Sequence, residues 1–173
     1  MHILWLVKTV LPQAAAACGL AGASDVSGSW LTGQLAALRP HGELRLTVAC
    51  TDARQKASLQ GEQDGVSYRI LPGADGFAAL LQTEQPDLVH IWGTESPEAA
   101  AMQDAAADVF WPQARTAAVR DAAIRKACLP YIEQLRPLYP HGTEVRTRRD
   151  WRLFRWMMQT FGPKFTLWAA SRR

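Results

Sequence analysis

Two short stretches of this chain are apolar almost throughout, where a half-exposed strand would alternate: Ile3-Leu4-Trp5-Leu6-Val7 and Leu88-Val89-His90-Ile91-Trp92. A strand with one face on a core and one in water alternates. A continuously apolar strand must be covered on both faces, which is the situation of a parallel strand flanked by helices. This feature directs the 173 residues toward an α/β architecture with one main sheet, a length that suits one domain or one domain with a tail. Even with glycine counted as apolar, no uninterrupted run exceeds about ten residues, far short of the ~20 that span a bilayer. No Lys or Arg precedes the mostly apolar Met1–Leu11, Lys8 lies inside it and Pro12 cuts it short, so an export signal is not expected despite the Ala14–Ala17 run before Cys18.

The remaining elements follow from turn signals. His2–Val7 reads as the first strand and Thr9–Val26 as a long Ala/Gly-rich loop. A helix then starts near Ser27-Gly28-Ser29, with Ser27 as N-cap and Trp30, Leu31, Leu35 and Leu38 at helical spacing, and Pro40-His41-Gly42 stops it. Leu44–Cys50 reads as a second strand, 51–64 as a polar loop and Val66–Leu71 as a third strand closed by Pro72-Gly73. Gly76–Glu84 reads as a short helix with Phe77, Leu80 and Leu81 on one face. Leu88–Trp92 is the fourth strand. Thr94 or Ser96 caps an alanine-rich helix with Pro97 in its first turn, ending near Ala107. The order of elements predicts a Rossmann-like, largely parallel sheet with flanking helices over residues 1–107.

Charge divides the chain at about the same place. Residues 1–108 carry six Lys/Arg against twelve Asp/Glu, and residues 109–173 carry thirteen against four, so a net −6 is followed by a net +9. Residues 108–173 read as a basic, mainly helical extension: Val119–Leu135 and Trp151–Phe161 as helices, with a strand candidate at Lys164–Trp168. In the second helix Trp151, Phe154, Met158 and Phe161 share a face, with Arg148, Arg149, Arg152 and Arg155 around the rest. Three readings stand for it: a helix docked on the domain, one lying on an anionic membrane surface, and, least favoured, one tracking nucleic acid.

The chemistry is expected beyond the carboxyl ends of the strands, where open parallel sheets bind ligands. Gly28 at a helix start lets a diphosphate approach backbone N–H groups, against the plainer reading of simple capping. His90 is either a hydrogen-bonded core residue or a catalytic one. Glu95 either complements a helix dipole or lines the site. Asp87 is expected to shape the turn before its strand. The three cysteines, Cys18, Cys50 and Cys128, are odd in number and far apart, and no CxxC, HExxH or HxH occurs; neither a disulfide scaffold nor a metal site is expected, and a reduced, cytoplasmic setting is.

Set together, Ile3-Leu4-Trp5-Leu6-Val7 with Leu11-Pro12, Ser27-Gly28-Ser29-Trp30-Leu31-Thr32-Gly33, and Pro86-Asp87-Leu88-Val89-His90-Ile91-Trp92-Gly93-Thr94-Glu95 resemble the N-terminal domain of GT-B glycosyltransferases of family 4. The resemblance covers residues 1 to about 107. It implies a retaining transferase that moves a sugar from a nucleotide-sugar donor to a glycan or lipid-linked acceptor, often at the cytoplasmic membrane face, with no metal or other cofactor. It further implies Gly28 and Ser29 at the donor diphosphate and His90 and Glu95 at the acceptor. Trp92 stands where many members have a second histidine, and Pro97-Glu98 where many have Pro-His. Family members bind the donor on a second domain with two glutamates eight residues apart, and no two glutamates here have that spacing. The expectation is therefore a donor-less half, inactive alone or completed by a second chain. The alternative is a non-catalytic protein docking on an anionic membrane or partner through the basic aromatic tail. A flavodoxin-like flavoprotein has no flavin-specific motif to support it.

Overall fold

The computed structural model describes residues 1–21, 29–93, 96–110 and 166–170, with isolated positions between 112 and 134. In chain order these form β1 (His2–Leu6), α1 (Pro12–Ala17), α2 (Ser29–Leu38), β2 (Arg45–Thr51), β3 (Leu59–Gln63), β4 (Val66–Leu71), α3 (Phe77–Glu84, entered through a 3-10 turn at Ala74–Gly76), β5 (Leu88–Trp92), α4 (Pro97–Phe110) and β6 (Thr166–Ala170). The six strands make one sheet in the order β3-β4-β2-β1-β5-β6. β4, β2, β1 and β5 run parallel, and β3 and β6 close the two edges antiparallel. The mostly parallel α/β architecture expected from the sequence is present.

The two almost wholly apolar stretches lie side by side inside this sheet, away from its edges. Every residue of β1 and of β5 is buried, and they pair directly, Ile3 with Leu88 and Leu6 with Ile91. Helices cover both faces. Glu84 of α3 meets Arg45, Thr47 and Arg69, so α3 lies on the face that carries them, and α4 packs against α3. Leu38 of α2 shares a cavity of about 240 Å³ with Ile3, Leu46 and Val66, which point to the other face. α1 sits on that second face, linked to α2 through Gln13 and Thr32 and pressed so closely on β3 that a side chain at Gly61 would overlap the Ala17 carbonyl.

Two segments read as loops are ordered elements. Within Thr9–Val26, α1 begins with Pro12 in its first turn and ends at Gly19, whose φ of 71° permits the closing bonds Gly19 N–H to Ala16 O and Leu20 N–H to Ala15 O. Within 51–64, β3 is mostly polar because it is an edge strand. It turns into β4 through Asp64-Gly65, both at positive φ (55° and 75°), the geometry of a tight hairpin. The last strand, read at Lys164–Trp168, spans Thr166–Ala170. The helices read at Val119–Leu135 and Trp151–Phe161 fall largely or wholly outside the described residues. No helix among the described residues is long and apolar enough to cross a membrane.

Candidate functional site

The parallel strands run β4-β2-β1-β5, so the chain proceeds outward from β1 in one direction and then returns to β1's other side. After β1 it passes to α1 and α2 on one face; after β5 it passes to α4 on the opposite face. Connections that diverge in this way mark the carboxyl ends of β1 and β5 as the candidate site, since open parallel sheets bind ligands in a crevice at such a reversal point. The two segments singled out from the sequence are the ones that leave these strand ends.

At the β5 end, Gly93 takes a φ of 78°, a left-handed turn that glycine adopts without strain. Ser96, one of the two expected caps, is buried, and its Oγ accepts a hydrogen bond from Ala99 N–H at 3.2 Å, with Pro97 at the first position of α4 and Glu98 in the first turn; Thr94, the other, lies outside the described residues. At the β1 end, Lys8 is exposed and Thr9 half-buried. Ser29 is the first residue of α2. Gly28, Glu95, Arg148, Arg149, Trp151, Arg152 and Arg155 lie outside the described residues.

His90 stands within β5 with no exposed surface. Its ring stacks on Trp92 at a centroid separation of 4.0 Å and meets Trp5 edge-on at 5.8 Å, while Trp5 and Trp92 are edge-to-face at 5.1 Å. Burial pushes its pKa well below the ordinary value. The ring is therefore a neutral member of a buried aromatic cluster, with Trp92 between it and the end of β5. Asp87 does more than shape a turn. Its carboxylate accepts from His2 N–H at 2.7 Å, and its own N–H donates to His2 O at 2.9 Å, stitching β5 to β1 at the amino edge, away from the crevice.

Sequence reasoning passed over two polar groups. At the amino edge the buried Glu84 carboxylate pairs with Arg69 at 2.6 Å and Arg45 at 3.2 Å and accepts from Thr47 Oγ1 at 3.3 Å; the Thr47 hydroxyl also meets His2 Nε2 at 2.9 Å. No linear spacing joins these residues, since the sheet register assembles them. At the carboxyl edge of β2, Asp52 holds Arg54, and here the short Asp-Ala-Arg spacing after a strand was a visible signal. Among the described residues, no three or more His, Cys, Asp and Glu side chains are grouped to hold a metal ion. Comparison with family models, curated proteins and solved structures finds no match.

Proposed function

We propose that the chain is the acceptor-side, Rossmann-like half of a GT-B glycosyltransferase of family-4 type, transferring sugar from a nucleotide-sugar only together with a donor-binding unit. The observation that carries this reading is the strand order. It sets the ends of β1 and β5 side by side at the reversal point, so that the chain leaving β1 toward Leu11-Pro12 and the chain turning at Gly93 after β5 start next to each other, which supports the reading. In this reading, the first turn of α2, with Gly28 and Ser29, offers backbone N–H donors to the donor diphosphate, and Glu95 faces an acceptor hydroxyl. His90 acts from below, stiffening Trp92 and the Gly93 turn. The basic segment with Trp151, Arg148, Arg149, Arg152 and Arg155 would bring the crevice to an anionic bilayer, where lipid-linked acceptors reside.

The test is an NMR titration of the full chain with UDP and GDP, together with an assay for donor consumption. Amide shifts confined to residues 28–32 and 93–98, with no sugar transfer by the chain alone, are the expected result. Shifts centred on the amino edge, or none at saturating nucleotide, would remove the proposal.

A further inference from the structure

The buried carboxylate of Asp52, immediately beyond β2, is only 6% exposed, yet it is fully engaged. It accepts from Arg54 N–H at 3.1 Å, Arg54 Nε at 2.8 Å, Arg54 Nη2 at 3.1 Å and Gln55 Nε2 at 2.8 Å. These donors hold it below the usual carboxylate range, the Arg54 side chain contributing most, so it stays ionised at neutral pH. The partner is the opposite of buried. The Arg54 side chain is 80% exposed, and the fork does not use Nη1. A guanidinium that would otherwise sweep through many rotamers is thus fixed at the carboxyl edge of the sheet with donors facing water.

Its neighbours follow from the register. Leu6 pairs with Ala49, and Val7 N–H donates to Ala49 O, so the exposed Lys8 leaves β1 beside the end of β2. The exposed Lys56 follows Arg54 in the same turn region. Along this edge, cations stand after the neighbouring strands β1 and β2, while the carboxylates Asp75 and Glu98 stand after β4 and β5, the strands on either side of that pair. Within a part of the chain whose net charge is −6, this is a local reversal of sign next to the crevice.

We infer that Arg54, pre-oriented by Asp52 and assisted by Lys8, is a binding site for a phosphate monoester or diphosphate group. On the functional reading above, on which this assignment of its source rests, the group belongs to the acceptor. With Nε and one Nη2 hydrogen held by Asp52, the outward Nη1 and Nη2 hydrogens are left as planar, paired donors suited to phosphate oxygens, and their fixed geometry lowers the ordering cost of binding.

The experiment titrates the full chain with inorganic phosphate, inorganic pyrophosphate and n-hexyl phosphate at low salt, following the Arg54 Nε–H resonance in the wild type and the backbone amides of residues 53–56 in the wild type and every variant. Binding at this resonance by all three is the expected result. Tighter binding of hexyl phosphate assigns a lipid-linked source, and equal binding assigns a soluble one. Arg54→Lys, which keeps the charge at an exposed position, should weaken binding about tenfold by losing the fork. Asp52→Asn adds a positive charge to the edge yet should weaken binding by several-fold, because Arg54 loses its orientation. Arg39→Gln, on the opposite edge, should change nothing. Equal or tighter binding by both Arg54→Lys and Asp52→Asn would show diffuse attraction and overturn the site, as would silence of the Arg54 resonance in all three titrations. Nucleotide-induced shifts at residues 28–32 and 93–98 are read separately, so either proposal can fail alone.

Discussion

Acidification should weaken the fold through His90 before any carboxylate is involved. The imidazole is fully buried among Trp5, Trp92 and the sheet, and burial holds its folded pKa well below the value of 6.5 that the unfolded chain regains. A base depressed in this way contributes stability that is complete above the unfolded pKa and is lost as pH falls toward the folded one, because the unfolded state takes up the proton first. One proton bound only on unfolding gives a slope of about 1.4 kcal/mol per pH unit. Between about pH 7.5 and about pH 5 the loss attributable to His90 is thus about 2 kcal/mol, a substantial part of a typical 5–15 kcal/mol stability. His2 is shifted in the same direction, chiefly by burial and next by Arg45, and adds to the slope. The assay is urea unfolding followed by tryptophan fluorescence across this pH range, for the wild-type chain and for His90→Phe. The variant keeps an aromatic ring in the cluster but has nothing to titrate, so its stability should fall by about 2 kcal/mol less than the wild type's. Parallel pH profiles for the two proteins would refute the reasoning, since His90 would then be protonated as readily folded as unfolded.

Three further outcomes are expected. Gly61→Ala places a methyl group against the Ala17 carbonyl and 3.0 Å from Cys18 N, so it should cost about 1–3 kcal/mol and speed modification of the Cys18 thiol by a disulfide reagent as α1 lifts. Glu84→Gln removes the charge that Arg69 and Arg45 share and should lower the urea midpoint by an amount equivalent to about 1–3 kcal/mol. Ser96→Ala removes the cap of α4 and should cost about 1 kcal/mol in the same measurement, with faster amide exchange at Ala99.

The elements most legible in the sequence are those whose burial is complete. The runs 3–7 and 88–92 have no polar alternation to confuse, and Pro86-Asp87 and Gly93 punctuate the second; β5 falls where it was read. β4 is equally clear because Gly65 and Pro72-Gly73 bracket it. β3 was hidden by its own position. An edge strand needs few apolar side chains, so Leu59-Gln-Gly-Glu-Gln reads as loop unless the Asp64-Gly65 turn is weighted as a hairpin signal. α1 was hidden by length, since six residues show no helical period, although Pro12 and Gly19 mark its ends. At the candidate site, the strand ends were legible because the order of elements alone says which strands adjoin the reversal point. The inward direction of His90 and the convergence of Glu84, Arg45, Arg69, Thr47 and His2 depend on register, which a linear string does not display.

The pairing of β6 with β5 also sets an order of events during synthesis. Leu88–Trp92 is translated early, but the strand that covers its outer side, Thr166–Ala170, arrives only after residues 93–165 have been made. Until then a strand that is apolar but for His90 has nothing from β6 along one row of backbone donors and acceptors, the configuration most open to pairing with a neighbouring nascent chain. The growing polypeptide therefore passes through an interval of sticky incompleteness whose length is set by the ribosome, and slowing elongation across residues 93–165 should lengthen it.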